Sequence, residues 1–181
     1  MQMRDKVREA YSAAALTPDA RHAFPVGRVF ASSLAYQENA PAAALEAFAG
    51  VSNVPAFACI PEGATVLDLG CGAGLDTWLV APRARRVIGA DFSLPMLRRA
   101  SSCRPVNTMF TLAAAERLPL QDASIDVALV NGIFNLNPSR AEIFAELARV
   151  LKPGAHLYAA ELILASPLPE DERRREDDWF A

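Results

Sequence analysis

Val66-Leu67-Asp68-Leu69-Gly70-Cys71-Gly72-Ala73-Gly74 decides how this chain is read. A short apolar run carrying one acid meets three glycines, each two residues from the next, and Leu75–Val80 continues with helical spacing. The pattern is a buried strand, a tight turn and a helix start. Glycines let the backbone come close to a ligand, and a helix N-terminus offers unpaired N–H groups to it. A strand-helix turn that binds nothing could carry the same glycines, so the neighbouring segments have to arbitrate.

From Pro61 onward, short apolar runs alternate with helix-like segments. The strand candidates are Thr65–Leu69, Arg86–Gly89, Thr108–Ala113, Asp126–Val130 and His156–Ile163. Between them lie helix candidates at Leu75–Val80, Leu94–Ala100 and Pro138–Leu151. Such alternation implies βαβ units and a mostly parallel sheet of about five strands covered on both faces, a Rossmann-like α/β fold. In the last helix Ile143, Phe144, Leu147, Val150 and Leu151 form one apolar stripe. Asn137 is expected to cap it, Pro138 to occupy its first turn, and Lys152-Pro153-Gly154 to end it. Residues 1–60 read as a helical extension with candidates at Asp5–Leu16 and Pro41–Phe48, residues 61–165 as the core, and residues 166–181 as a charged tail.

Composition excludes several classes. The 181 residues are 52% apolar and 22% charged, a globular balance, with net charge −3. Glu170–Asp178 holds six acids and three arginines, so the remainder is neutral, without the basic excess that grips nucleic acid. The three cysteines, Cys59, Cys71 and Cys103, are widely spaced and suggest neither a disulfide framework nor a zinc site. The charged start, Met-Gln-Met-Arg-Asp-Lys, does not suit a signal-peptide core, and the charge-free stretches are too short to span a bilayer. A cytoplasmic protein with no metal and no membrane contact is expected. With 35 alanines, and Arg at 16 of 18 basic positions, the composition suggests a GC-rich bacterial genome.

Two segments strengthen the reading of the glycine turn. Val87-Ile88-Gly89-Ala90-Asp91 is a short strand ending in a carboxylate, 17 residues after Gly74. A carboxylate there can accept both hydroxyls of a ribose, or it can cap the next helix, a role also open to Ser93. Ala115-Glu116-Arg117-Leu118-Pro119-Leu120 precedes the fourth strand, and Glu146-Leu147-Ala148-Arg149-Val150-Leu151-Lys152-Pro153-Gly154 precedes the fifth. A dinucleotide fingerprint would place its third glycine at position 75, which is Leu, so a nucleotide-dependent oxidoreductase is disfavoured.

These four segments, in this order and spacing, resemble the class I S-adenosylmethionine-dependent methyltransferases of the type 11 group, over about residues 62–165. Phe48-Ala49-Gly50-Val51-Ser52-Asn53, Asn131-Gly132-Ile133-Phe134-Asn135-Leu136 and Leu157–Glu161 resemble the arsenite methyltransferase branch; quinone and sterol methyltransferases share much of the core. The resemblance implies that Gly70, Gly72 and Gly74 cradle the methionine part of S-adenosylmethionine, with Asp68 near its amino group. It places Asp91 on the ribose hydroxyls, Phe92 against the adenine, Ala115 and Glu116 along the adenine edge, and Asn131 by the reactive methyl. Such enzymes often carry Asp before the Ala-Glu pair; here it is Ala114, which removes a hydrogen bond worth about 1 kcal/mol.

The implied activity is methyl transfer to a small-molecule acceptor, and the alternative is a domain that holds the cofactor without turnover. Glu161 and His22 are the candidate bases, each also readable as structural, and Tyr11 is a candidate lid residue or a packing one. Arsenite methyltransferases hold their substrate with cysteine thiolates. The resemblance places Thr77 and Phe134 where such cysteines occur, and Cys71 lies in a turn where Cys is common whatever the acceptor. The class I fold has seven strands, whereas five candidates are visible here, and only 18 residues follow Ile163. A missing final hairpin, an open fifth-strand edge and a homodimer through that edge are therefore expected.

Overall fold

The computed structural model describes residues 3–163. Four helices come first: α1 (Met3–Leu16), α2 (Arg28–Ser33), α3 (Ala42–Glu46) and α4 (Val54–Phe57). Then β1 (Thr65–Leu69), α5 (Leu75–Val80), β2 (Arg86–Asp91), α6 (Leu94–Ser102), β3 (Thr108–Leu112), β4 (Ile125–Asn131), α7 (Arg140–Val150) and β5 (Leu151–Ala160) alternate. The five strands lie in the order β3-β2-β1-β4-β5, every pair parallel. The Rossmann-like arrangement expected from the sequence is present. The tail and any final hairpin lie outside the described residues.

The sheet is buried because successive side chains divide between two cores. Leu67 and Leu69 of β1 and Ala128 and Val130 of β4 pack with Ile143, Leu147 and Val150 of α7. Val66, Val127 and Leu129 face the other way, toward Val54 of α4 and Val80 of α5. β1 is buried along its whole length, as a central parallel strand must be. The N-terminal helices pack on the core through small residues, with Ala14 and Ala15 of α1 against Ala47, Ala73 and Met96. Arg99 of α6 joins them, donating to the Ala15 carbonyl at 2.5 Å and to Glu46 at 3.1 Å.

Two expectations about α7 and β5 are corrected. The helix starts at Arg140 with Ser139 as its N-cap residue. Asn137 Oδ1 instead accepts the Ser139 N–H at 2.8 Å, two residues ahead of the N-cap position. Lys152-Pro153-Gly154 does not separate helix from strand. Leu151 already pairs with Ile125, the chain bulges, and pairing resumes at Val127 with His156. A strand tolerates Pro at such an irregularity.

Gly89 marks the tightest contact within the sheet. A Cβ there would lie 2.6 Å from the Phe110 ring and 3.0 Å from Cys71 Sγ. Gly89→Ala should destabilise the chain by about 1–3 kcal/mol in urea unfolding, as overpacked cores do. Phe110→Leu in the same chain should recover part of that loss.

Candidate functional site

The carboxyl ends of the strands open on a cavity of about 1010 Å³, counting its mouth. Parallel sheets place ligands here, where connections leave to opposite faces. Of the residues singled out in the sequence, Asp68, Gly70, Gly72, Asp91, Phe92, Ala115, Glu116 and Asn131 line it. Gly74 does not. It sits at φ 85°, and a Cβ there would meet Ala100 at 3.0 Å and Phe110 at 3.3 Å, so it allows α5 and α6 to close on the sheet. Gly72 is different. At φ 52° the space a Cβ would fill is open, bounded only by Met96 Sδ at 3.9 Å. That free volume beside a bare backbone is what a ligand cradle requires.

Asp91, at the end of β2, is buried. Its Oδ2 accepts the Gly72 N–H at 2.8 Å and its Oδ1 accepts the Ser93 N–H at 2.7 Å. Each oxygen keeps a lone pair for a ligand. Ser93 caps α6 through its own side chain, so the capping role open to Asp91 is shared. Burial pushes the Asp91 carboxyl up to about 6, against the pull of its backbone donors. Asp68 accepts the Thr77 hydroxyl at 2.5 Å and is likewise shifted upward, first by burial and then by the charge of Asp76.

The N-terminal segment supplies a wall of which only Tyr11 was singled out in the sequence, as a candidate lid or packing residue. Arg4, Val7 and Tyr11 of α1 and Phe48 after α3 line the cavity, with Tyr11 stacked on Phe24 at 4.6 Å. Burial, then Asp91 and Glu161, raises the Tyr11 hydroxyl. Asn131 anchors this wall. Its Oδ1 accepts the N–H groups of Val51 and Ser52 at 2.8 and 3.2 Å. Its Nδ2 lies 2.7 Å from the Ser52 carbonyl, 2.9 Å from Asp76 Oδ2 and 3.2 Å from Tyr36 Oη. The Asn131 side chain is thus committed to the protein. Tyr36 and Asp76 belong to the same buried network. Their signal in the sequence was slight: one acid after a glycine turn and one aromatic in an irregular segment.

The loop that carries Ala115 and Glu116 is held from outside the cavity. Arg149 of α7 donates to the carbonyls of Leu118 and Leu120 and to Glu146, while Glu146 accepts the Leu118 N–H. Glu116 accepts from Asn137 at 2.8 Å and faces Arg4 at 3.9 Å. The candidate bases are engaged elsewhere. Glu161 accepts the N–H groups of Ile133, Phe134 and Asn135, closing the turn after β4. His22 bonds the Thr17 carbonyl at 2.9 Å and does not line the cavity. Thr77 is fully buried, and Phe134 is buried and stacked on Phe144 at 4.5 Å. Cys71 lines the cavity, with its thiol pushed well up by burial.

A five-stranded parallel sheet, a glycine turn opening on the cavity and an acid at the end of β2 define the class I methyltransferase fold. A family model described as a methyltransferase domain matches residues 67–159, about half of the sequence, and the chain belongs to that family, whose cofactor is S-adenosylmethionine. An arsenite methyltransferase of Halobacterium salinarum is 35% identical over 129 residues, 67% of this chain and 33% of that protein. A malonyl-[acyl-carrier protein] O-methyltransferase of a Marinomonas species is 38% identical over 119 residues, 64% of this chain and 42% of its own. Among solved structures, an arsenic(III) S-adenosylmethionine methyltransferase from Chlamydomonas reinhardtii matches with TM-score 0.67 and 28% identity, covering 83% of this chain and 54% of that one. The chain spans less than half the length of these two curated relatives. Among the described residues, no helix is long and apolar enough to cross a membrane.

The raised Asp91 carboxyl makes a pH prediction. Its contribution to stability is fully present below the unfolded value near 4 and is lost as pH rises through about 6. The ligand-free chain should therefore lose about 1–3 kcal/mol from this group across that window. Urea unfolding at a series of pH values should show a shallower decline for Asp91→Asn.

Proposed function

We propose that this chain binds S-adenosylmethionine in the cavity at the carboxyl ends of β1, β2 and β4 and delivers its methyl group to a small-molecule acceptor. The observation that carries the reading is the open cradle at Gly72 beside Asp91, whose oxygens each keep a lone pair. Gly70, Gly72 and Asp68 would hold the amino-acid part of the cofactor, Asp91 the ribose hydroxyls, and Phe92, Ala115 and Glu116 the adenine. When bound, the cofactor supplies an activated methyl on a sulfonium leaving group, so the protein's share is positioning and exclusion of water rather than acid or base chemistry. The walls suit that share. Val7, Tyr11, Phe48, Ile133 and Leu136 present apolar surface, and the hydrogen-bonding capacity of Asn131 and Glu161 is spent on backbone and buried partners.

The acceptor in this reading is a small molecule whose nucleophile needs no strong base from the protein. Arsenite is disfavoured, although two relatives are named for arsenic chemistry. Thr77 bonds Asp68 and Phe134 packs on Phe144, so neither supplies a thiolate, and a soft metalloid needs two or three. A domain that holds the cofactor without turnover is the second reading, favoured by the engaged side chain of Glu161.

S-adenosylmethionine should raise the melting temperature, by an amount matching about 2.7 kcal/mol at a hundredfold excess over Kd, while NAD should not. No shift with the methyl cofactor or its demethylated product would refute the cofactor site. Asp91→Ala should weaken cofactor binding by about 1.5–3 kcal/mol in calorimetry on the folded variant, since bonds to a charged acceptor are lost. Labelled cofactor with arsenite and thiols should yield little methylated product, and turnover at an enzymatic rate would overturn that part of the reading.

A further inference from the structure

The Tyr36 hydroxyl lies 2.8 Å from the Ser52 carbonyl and 2.5 Å from Asp76 Oδ1. Both are oxygen-to-oxygen contacts at hydrogen-bond distance, and each needs a proton between its atoms. A carbonyl has none, an ionised carboxylate has none, and a phenol has one. The neighbouring amide cannot fill the gap. The two hydrogens of Asn131 Nδ2 go to Ser52 O at 2.7 Å and Asp76 Oδ2 at 2.9 Å, its nearest acceptors. The second proton therefore belongs to Asp76. Asp76 Oδ1–H donates to Tyr36 Oη, Tyr36 donates to the Ser52 carbonyl, and Asp76 Oδ2 accepts from Asn131. Every polar atom of the group is then satisfied.

We propose that Asp76 is a neutral acid in the ligand-free chain, and that its proton leaves for solvent when S-adenosylmethionine enters, so that cofactor binding and one deprotonation are linked. The proposal rests on the reading of the cavity as the cofactor site. Asp76 lines that cavity and is 5% exposed. The groups that face it are Asp68 on β1 with its Thr77 partner, Asp91 at the end of β2, the Cys71 thiol in the turn, Asn131 on β4 and Tyr36 after α2. Among the described residues, Arg4 is the basic side chain along the lining, and it stands half-exposed at the mouth against Glu116. The buried acids thus meet neutral donors. Burial raises Asp76 to about 6 against the pull of its Tyr36 and Asn131 bonds, the same direction as the proton count, so the neutral acid is the form present below that pH. The cofactor carries a sulfonium and an ammonium against one carboxylate. Its arrival brings net positive charge to acids that lack a cation, and favours the ionised form of Asp76. In the step, the Asp76 O–H bond breaks, the proton passes to buffer, and Tyr36 turns its hydrogen to the new carboxylate.

Two measurements test this. In ligand-free protein, infrared difference spectra between wild type and Asp76→Asn should show a protonated carboxylic acid band belonging to Asp76. Asparagine copies the shape and hydrogen bonds of the neutral acid, so the variant should fold. Tyr36→Phe, a second variant, should shift the same band by removing its hydrogen-bond partner. Absence of the band overturns the protonation. Calorimetric titration with S-adenosylmethionine in buffers of different ionisation enthalpy should show proton release to which Asp76 contributes up to one proton per cofactor, worth up to about tenfold in affinity per pH unit on the acid side. Asp76→Asn should lower the release by that share. Binding without buffer dependence, or with the same dependence in the variant, overturns the linkage and leaves the cofactor site standing. Failure to bind S-adenosylmethionine overturns both the linkage and the cofactor reading, while the infrared band still reports on Asp76.

Discussion

Asp68, Asp76 and Asp91 are buried in one cavity against neutral donors, and the ligand end of the molecule is arranged around that constraint. Removing a carboxylate from water costs several kcal/mol in a folded protein. The chain meets the cost differently at each acid. Asp91 is served by two backbone N–H groups, which exist because the turn at Gly72 and the entry to α6 both point amides at it. Asp68 has the Thr77 hydroxyl, one helical turn into α5. Asp76 has Tyr36 and Asn131, side chains from distant parts of the chain. A pocket of this kind favours a ligand that carries positive charge, as the family cofactor does.

A second motif reaches the site without touching it. Arg149 and Glu146 hold both backbone groups of Leu118, and Arg149 also holds the carbonyl of Leu120. That fixes the loop whose earlier residues, Ala113, Ala115 and Glu116, line the cavity. The stretch from Glu146 to Gly154 was visible as a motif, but the reason lies in packing: α7 covers one face of the sheet, and its last turn faces the loop that leads into β4.

The strands and helices were legible where local chemistry is decisive. β1 and α5 fall where the apolar run meets the glycines, because Gly70, Gly72 and Gly74 all sit at positive φ in the turn between them. The start of β5 was misplaced because Lys152-Pro153-Gly154 carries every mark of a turn, yet a bulge lets the strand begin before it. The cavity lining was legible along the glycine turn and at Asp91, which lie on elements close in sequence. Spacing cannot tell Gly72, which faces the cavity, from Gly74, which faces Ala100 and Phe110. The grouping of Asn131 with Tyr36 and Asp76 stayed hidden because it exists only once the sheet has formed.

The anchoring of Val51 and Ser52 on Asn131, across 80 and 79 positions, also governs the order of assembly. β1 is the central strand, and both of its neighbours, β2 and β4, follow it in the chain. During synthesis the first three helices leave the ribosome long before the asparagine that will hold the segment behind them. Val51 and Ser52 therefore lack this acceptor until β4 joins the sheet. A pause in translation before residue 131 would leave the backbone N–H groups of Val51 and Ser52 without the oxygen that holds them.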